Sequence, residues 1–194
     1  MTDPSRLRSV VTSTPRLRIR RMSLDDAPLM LAVLTDPDFV RFVGDRGVRD
    51  LAAASQYLAD GALAEYARFG YGMFAVERRD DAASIGICGV MQRPFLPAPD
   101  LGYAMLPPFR GRGYMREAAI AVRDHARDAL LLPELLAVAS KQNVASNKLL
   151  ESLGFRLRGD FLWPGADSPG NLWRLAFGSG APGHDAPTDA PQRR

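Results

Sequence analysis

One cysteine, two histidines and two lysines are all that this 194-residue sequence contains of those residue types. With Cys88 alone, no disulfide can form within the chain, and a cysteine-based metal centre would need other chains. His125 and His184 stand far apart, the second in a Gly/Pro-rich tail. They form no ligand cluster, so no metal is expected. No apolar run approaches the roughly 20 residues of a membrane helix, and residues 1–15 lack the apolar block of a signal peptide. The expectation is a cytoplasmic protein with no membrane partner, a monomer or homodimer.

What is present is ordinary globular usage, with 46% hydrophobic and 24% charged residues in a length that suits one domain. Of the 25 basic residues 23 are arginine, and six arginines fall within residues 6–21. An anionic partner such as a nucleic acid is one reading of that skew. The favoured one is structural: Arg16, Arg18 and Arg20 alternate with Leu17 and Ile19, as on the wet face of a first strand. No nucleic-acid partner is expected.

Residues 1–13 and 178–194 read as flexible tails around a domain at 14–177, the second having few apolar groups to bury. After the first strand, Ser23, Asp25 and Asp26 announce a helix with Leu29, Met30 and Val33 on its apolar face. Asp50 caps a second, with Leu51, Ala54, Leu58, Leu63 and Tyr66, ended by Gly70. Residues 71–77 and 84–91 read as an antiparallel strand pair joined by a turn at Asp80 and Asp81. A strand at 101–106 stops at Pro107-Pro108. A long helix at 114–130 follows, with Met115, Ala118, Ala119, Val122 and Ala126 inward and Arg116, Glu117, Arg123, Asp124 and Arg127 outward. A strand at 135–140, a short helix capped by Asn143, and strands at 155–158 and 171–177 complete the pattern. The expected fold is α/β (α+β), a single domain with a mixed, mostly antiparallel sheet of six to seven strands and helices on both faces.

The chemistry concentrates in Pro99 to Ala119, a strand, a glycine turn and a helix start. Free N–H groups and the helix dipole suit a helix start to pyrophosphate. Gly111 and Gly113 allow close backbone approach, and Arg110 and Arg112 can add charge-assisted hydrogen bonds. Alone, such a turn is more often purely structural, and it is neither a P-loop nor a dinucleotide fingerprint. A second piece follows about 30 residues on, Asn143 through Leu153-Gly154-Phe155, which alone is a plain capped helix.

Together and in this order, the two pieces resemble the GNAT family of N-acetyltransferases. Arg110-Gly111-Arg112-Gly113-Tyr114-Met115 is similar to that family's [QR]-x-x-G-x-[GA] pyrophosphate loop, and Asn143 with Leu153-Gly154-Phe155 to its second cofactor segment. Thr14-Pro15-Arg16-Leu17-Arg18-Ile19-Arg20, Leu24-Asp25-Asp26-Ala27 and Ile85-Gly86-Ile87-Cys88-Gly89 resemble stretches of its RimJ/RimL-like group, so the likeness spans the whole domain. It implies acetyl-CoA as cosubstrate and an amine acceptor, either a small molecule or a protein N-terminus. Two positions depart. Met115 stands where Gly or Ala is usual, and Leu150 where many relatives carry a tyrosine that protonates the leaving thiolate. Ser146 matches the helix serine that takes that role in the RimJ/RimL-like group; as a residue it reads equally as a second capping hydroxyl.

The resemblance further implies direct attack by the amine. Asp100 stands where relatives carry the Glu general base, although a solvated turn aspartate fits the position nearly as well. A backbone N–H, that of Met105, is expected to polarise the thioester carbonyl where a bulge in this strand parts two strands for the pantetheine arm. Cys88, between Ile87 and Gly89, reads as a buried small hydrophobe rather than an acyl carrier. Ser168 lacks a nucleophile-elbow context. The acceptor is expected between the first two helices and the loops around Phe95 and Trp163. The alternative reading is an acyl-CoA-binding regulatory module with weak catalysis, which Leu150 and Met115 permit.

Overall fold

The period-two pattern around Leu17 and Ile19 does make a strand, and both apolar side chains are fully buried. Of the arginines that alternate with them, Arg20 departs from expectation. It is 3% exposed, with Nη1 and Nη2 at 2.9 and 2.7 Å from the two Asp26 carboxylate oxygens and Nε at 2.9 Å from Glu77. A buried guanidinium is tolerable only when paired and hydrogen-bonded. Asp26, read from the sequence as a helix-start acid, meets that need and also accepts the Ser23 backbone N–H.

The computed structural model describes residues 9–178. Eight strands form one sheet: β1 (Val10–Ser13), β2 (Leu17–Arg21), β3 (Met73–Arg78), β4 (Ser84–Met91), β5 (Asp100–Met105), β6 (Glu134–Ala139), β7 (Arg156–Phe161) and β8 (Gly170–Ala176). Their spatial order is β1-β2-β3-β4-β5-β6-β8-β7, and every pair is antiparallel except β5 with β6. The sheet therefore exceeds the expected six or seven strands. The extra one, β1, lies in the segment 1–13 read as a tail: Val10, Thr12 and Ser13 pair with Arg20, Ile19 and Arg18, so main-chain hydrogen bonds hold what apolar burial alone would not. Residues 1–8 and 179–194, including His184, lie outside the described residues.

Among the described residues six α-helices accompany the sheet: α1 (Ala27–Leu34), α2 (Pro37–Val43), α3 (Leu51–Leu58), α4 (Ala64–Phe69), α5 (Tyr114–Asp128) and α6 (Val144–Ser152). The second expected helix is α3 and α4 joined through a π-helical stretch, Ala59–Leu63, and Gly70 ends it in the left-handed conformation. No counterpart of α2 stands among the expected helices; Asp36 caps it by accepting the N–H groups of Asp38 and Phe39, and Pro37 takes the first helical position, where its missing N–H costs nothing. Among the described residues no helix is long and apolar enough to cross a membrane.

Register places Arg20, Ala75 and Ile87 on one face of the sheet and Phe74, Cys88 and Tyr103 on the other. The segment entering α1 lies on the first face, because Asp26 holds Arg20 there; α5 lies on the second, where the His125 ring meets Phe74 edge-on. Ala118, Ala119, Val122 and Ala126 of α5 are fully buried, and side chains this small bring the helix axis close to the strands.

Candidate active site

Between β5 and β6 the sheet comes apart. The two parallel strands share a single rung, Asp100 opposite Leu136, sealed by the Leu136 N–H donating to the Pro99 carbonyl at 2.9 Å. Past it they diverge, and Tyr103, Ala104 and Met105 on one side and Ala137, Val138 and Ala139 on the other line a cavity of about 470 Å³. The expected bulge in β5 is not there: β5 pairs with β4 in unbroken register from Asp100–Met91 to Met105–Gly86. The opening arises instead from the loss of pairing on the β6 side.

That register also sets the direction of the Met105 amide. Leu106 donates to the Ile85 carbonyl at 3.0 Å. Hydrogen bonding alternates along an antiparallel ladder, so the N–H and C=O of Met105 point away from β4 into the gap. Its carbonyl is taken by Arg110 Nε at 2.9 Å, which leaves the N–H as the free member of the pair facing the cavity.

At the cavity's far end the chain turns through a 3-10 stretch, Pro107–Phe109, and enters α5. Gly111 (φ 74°) and Gly113 (φ 77°) both adopt the left-handed conformation, which costs a side-chain-bearing residue about 1–2 kcal/mol. The first intrahelical bond runs from the Glu117 N–H to the Gly113 carbonyl, so the N–H groups of Tyr114, Met115 and Arg116 have no partner within the helix. Gly111, Gly113, Tyr114, Met115 and Arg116 all border the cavity.

The arginines divide the work differently from expectation. Arg110 places Nη2 2.6 Å from Asp36 and Nη1 2.6 Å from Asp38, so its guanidinium binds the loop to the start of α2 rather than standing open to a phosphate. Arg112 is exposed and outside the cavity wall, and its carbonyl accepts from Arg16 at 3.1 Å. Arg116, assigned to the wet face of the helix, borders the cavity from the first turn of α5. Arg16 is bound to Glu117 at 2.6 Å and lies 4.5 Å above the Tyr114 ring, bracing the turn from outside. Met115 packs against the core while still bordering the cavity.

On the other wall, Asn143 caps α6 by accepting the Ser146 N–H at 3.1 Å. Ser146 itself does no capping. Its Oγ lies 2.9 Å from the Tyr103 hydroxyl, reaching across from β5, and both residues border the cavity. Leu150 is buried in the core. Sequence reasoning missed Tyr103 as a functional candidate; the available signal was a hydroxyl on the strand that carries the site, flanked by Gly102.

Asp100 is 1% exposed, so the solvated-turn reading fails. Arg93 Nε stands 3.2 Å from Oδ2, and Oδ1 is buried with no hydrogen-bond partner among the described residues. Burial pushes this carboxyl up to about 7, against the downward pull of Arg93, and Glu65 adds to the rise. Arg93 and Met91 border the cavity while Asp100 lies behind them. Trp163 also borders it; Phe95 does not, its ring stacking instead on Phe161 at 6.2 Å. Cys88 is fully buried, and burial pushes its thiol up, which keeps it inert.

Residues 16–156 match the family model of the acetyltransferase (GNAT) domain. An acetyltransferase from Agrobacterium tumefaciens superposes with a TM-score of 0.72 at 30% identity, covering 86% of this chain and 94% of that one. An acetyl transferase from Salmonella typhimurium that modifies the N-terminal serine of ribosomal protein L7/L12 superposes at 0.73 with 17% identity, over 88% of this chain and all of its own. In sequence, the uncharacterized N-acetyltransferase YoaA of Bacillus subtilis is 26% identical over 151 residues, 77% of this chain and 84% of YoaA.

Proposed function

The chain belongs to the GNAT family of acetyltransferases, and from that premise we propose that it transfers an acetyl group from acetyl-CoA to a primary amine by direct attack. The observation that carries this reading is the parting of β5 from β6 directly above a glycine turn and the open first turn of a helix. The turn suits the pyrophosphate, through the amides of Gly111 to Arg116 and the Arg116 charge. The gap suits the pantetheine arm, with the Met105 N–H as donor to the thioester carbonyl and Asn143 on the opposite wall.

Asp100 is the proposed base. An ammonium must lose a proton before its nitrogen can attack, and a base titrating near 7 is matched to that work at neutral pH. Because the wall residues screen Asp100 from the cavity, proton transfer runs through one bridging water. The bordering carboxylates are Asp36 and Asp38, both already paired with Arg110, while Arg46 supplies positive charge and Arg93 faces the Asp100 carboxyl. This arrangement supports a singly charged amine on an apolar or anionic carrier, such as a protein N-terminus or a small amine, over a polycation. The likeness in fold to the L7/L12-modifying enzyme agrees with the N-terminal option.

The test is CoA thiol release from acetyl-CoA with a panel of short peptides, monoamines and polyamines. Turnover with a peptide or monoamine supports the reading; absence of thiol release with every amine, in a chain that still binds acetyl-CoA, leaves a binding module.

A further inference from the structure

We propose that Tyr103 is a positioning residue for thioester cleavage, holding the Ser146 hydroxyl so that its hydrogen faces the sulfur that leaves. The inference deepens the acetyl-transfer reading and rests on it. The two oxygens stand 2.9 Å apart across the opening between β5 and α6, and the Tyr103 hydroxyl also lies 3.3 Å from the Ser146 carbonyl. Each hydroxyl has one hydrogen to give. Of the two acceptors on Ser146 the Oγ is the nearer, and a phenol is a stronger donor than an alcohol, so in the proposed arrangement the tyrosine hydrogen points to Oγ rather than to the carbonyl. That leaves the serine hydrogen uncommitted. Nothing else among the described residues claims it, since the start of α6 is capped by Asn143 and not by Ser146 Oγ. Both side chains border the cavity in the part where the strands diverge, and the helix position that could have carried a tyrosine holds buried Leu150.

In the proposed step the amine nitrogen forms a bond to the thioester carbon, and the C–S bond breaks with its electron pair passing to sulfur. The amine attacks as the free base, its ammonium proton having already left through Asp100 to solvent, and the surplus proton on nitrogen after attack passes to the Asp100 carboxylate so regenerated. The departing thiolate accepts the Ser146 hydrogen bond and takes its proton from solvent on release, while Asp100 returns its own to solvent. Tyr103 keeps its hydrogen throughout, consistent with burial pushing the phenol above its ordinary range.

The experiment is a double-mutant cycle on the full chain, with Tyr103→Phe, Ser146→Ala and both together. It reads kcat and KM for thiol release and, by calorimetry, acetyl-CoA affinity. A hydrogen bond to a charged group predicts that Ser146→Ala lowers kcat by about 10- to 100-fold. Tyr103→Phe should lower it less, with acetyl-CoA affinity and KM unchanged, and the double variant should be no slower than Ser146→Ala alone. Ser146→Thr, which keeps a hydroxyl, should restore most of the rate, and only while Tyr103 is present. Tyr103→Leu serves the same comparison if the phenylalanine variant does not fold. Wild-type kcat in either Tyr103 variant, or losses that multiply in the double variant, would overturn the proposal while leaving acetyl transfer standing. Failure of the wild type to release thiol with any amine would overturn the reading beneath it.

Discussion

Arg110 and Asp36, 74 residues apart in the chain, meet at 2.6 Å, and Asp36 is also the residue that caps α2. The glycine turn and the cavity wall formed at the start of α2 are thus fastened at one carboxylate. Arg110→Ala should weaken acetyl-CoA binding by disordering the turn, a loss that added salt hardly changes. Arg116→Ala should weaken it through lost charge, and that loss should shrink as salt screens the phosphates. Calorimetry at low and high ionic strength separates the two. Equal salt dependence would contradict the division of labour between these arginines.

Acetyl-CoA should stabilise the fold by about 2.7 kcal/mol at a hundredfold excess over its dissociation constant. Thermal unfolding with and without the ligand measures this. A melting temperature indifferent to millimolar acetyl-CoA contradicts the assignment of the cavity.

Gly113→Val should abolish acetyl-CoA binding and destabilise the chain by about 1–2 kcal/mol. The cause is φ 77°, a conformation a branched residue resists, since an added Cβ would meet only Arg16 Nη2 at an ordinary 3.5 Å. Circular dichroism and calorimetry on the same sample read both effects.

Asp100→Asn should lower turnover by roughly 10²- to 10⁴-fold at pH 7 with acetyl-CoA affinity nearly intact. The wild-type rate should rise through about pH 7 as the carboxyl ionises, and the variant should lack that inflection; a low-pKa amine at pH 9 narrows the gap. Stability carries its own signature. With a folded-state pKa near 7 against about 3.9 unfolded, the native chain holds the extra proton between those values. Its contribution to stability is therefore fully present below about pH 4 and is lost as pH rises to about 7. Urea unfolding at pH 4 and pH 8 should show the asparagine variant gaining on the wild type as pH rises.

Arg20→Ala should cost about 3–5 kcal/mol, because it removes the cation shared by two buried carboxylates, Asp26 and Glu77. Arg18→Ala, whose partner bond to Glu77 is half-exposed, should cost under about 1 kcal/mol. Chemical denaturation of the pair distinguishes them.

Elements with strong local patterning were legible in the sequence. The α5 stripe of Ala118, Ala119, Val122 and Ala126, the Asn143 cap and the two glycines of the turn are written within a few residues of where they act. What was not legible depends on partners distant in the chain. Arg20 reads as one more wet arginine until Glu77, 57 residues on, is brought against it. Arg110 looks like a phosphate ligand until α2 delivers Asp36. The Tyr103–Ser146 pair, 43 residues apart, exists only because two strands separate, and a loss of pairing leaves no periodicity to read. β1 escaped for a related reason: a four-residue strand with exposed ends and a half-buried middle holds its place through main-chain bonds to β2, which sequence composition does not record.

The single rung between Asp100 and Leu136 divides more than the sheet. Strands β1 to β5 come from the chain before residue 106, and β6, β7 and β8 from the chain after residue 133, so the seam in space is also a seam in sequence, bridged by α5. Within the sheet, the strands form two lobes that share one stitch. A ligand seated in the seam would act as a keystone, tying the melting of one lobe to that of the other and slowing amide hydrogen exchange on both banks at once.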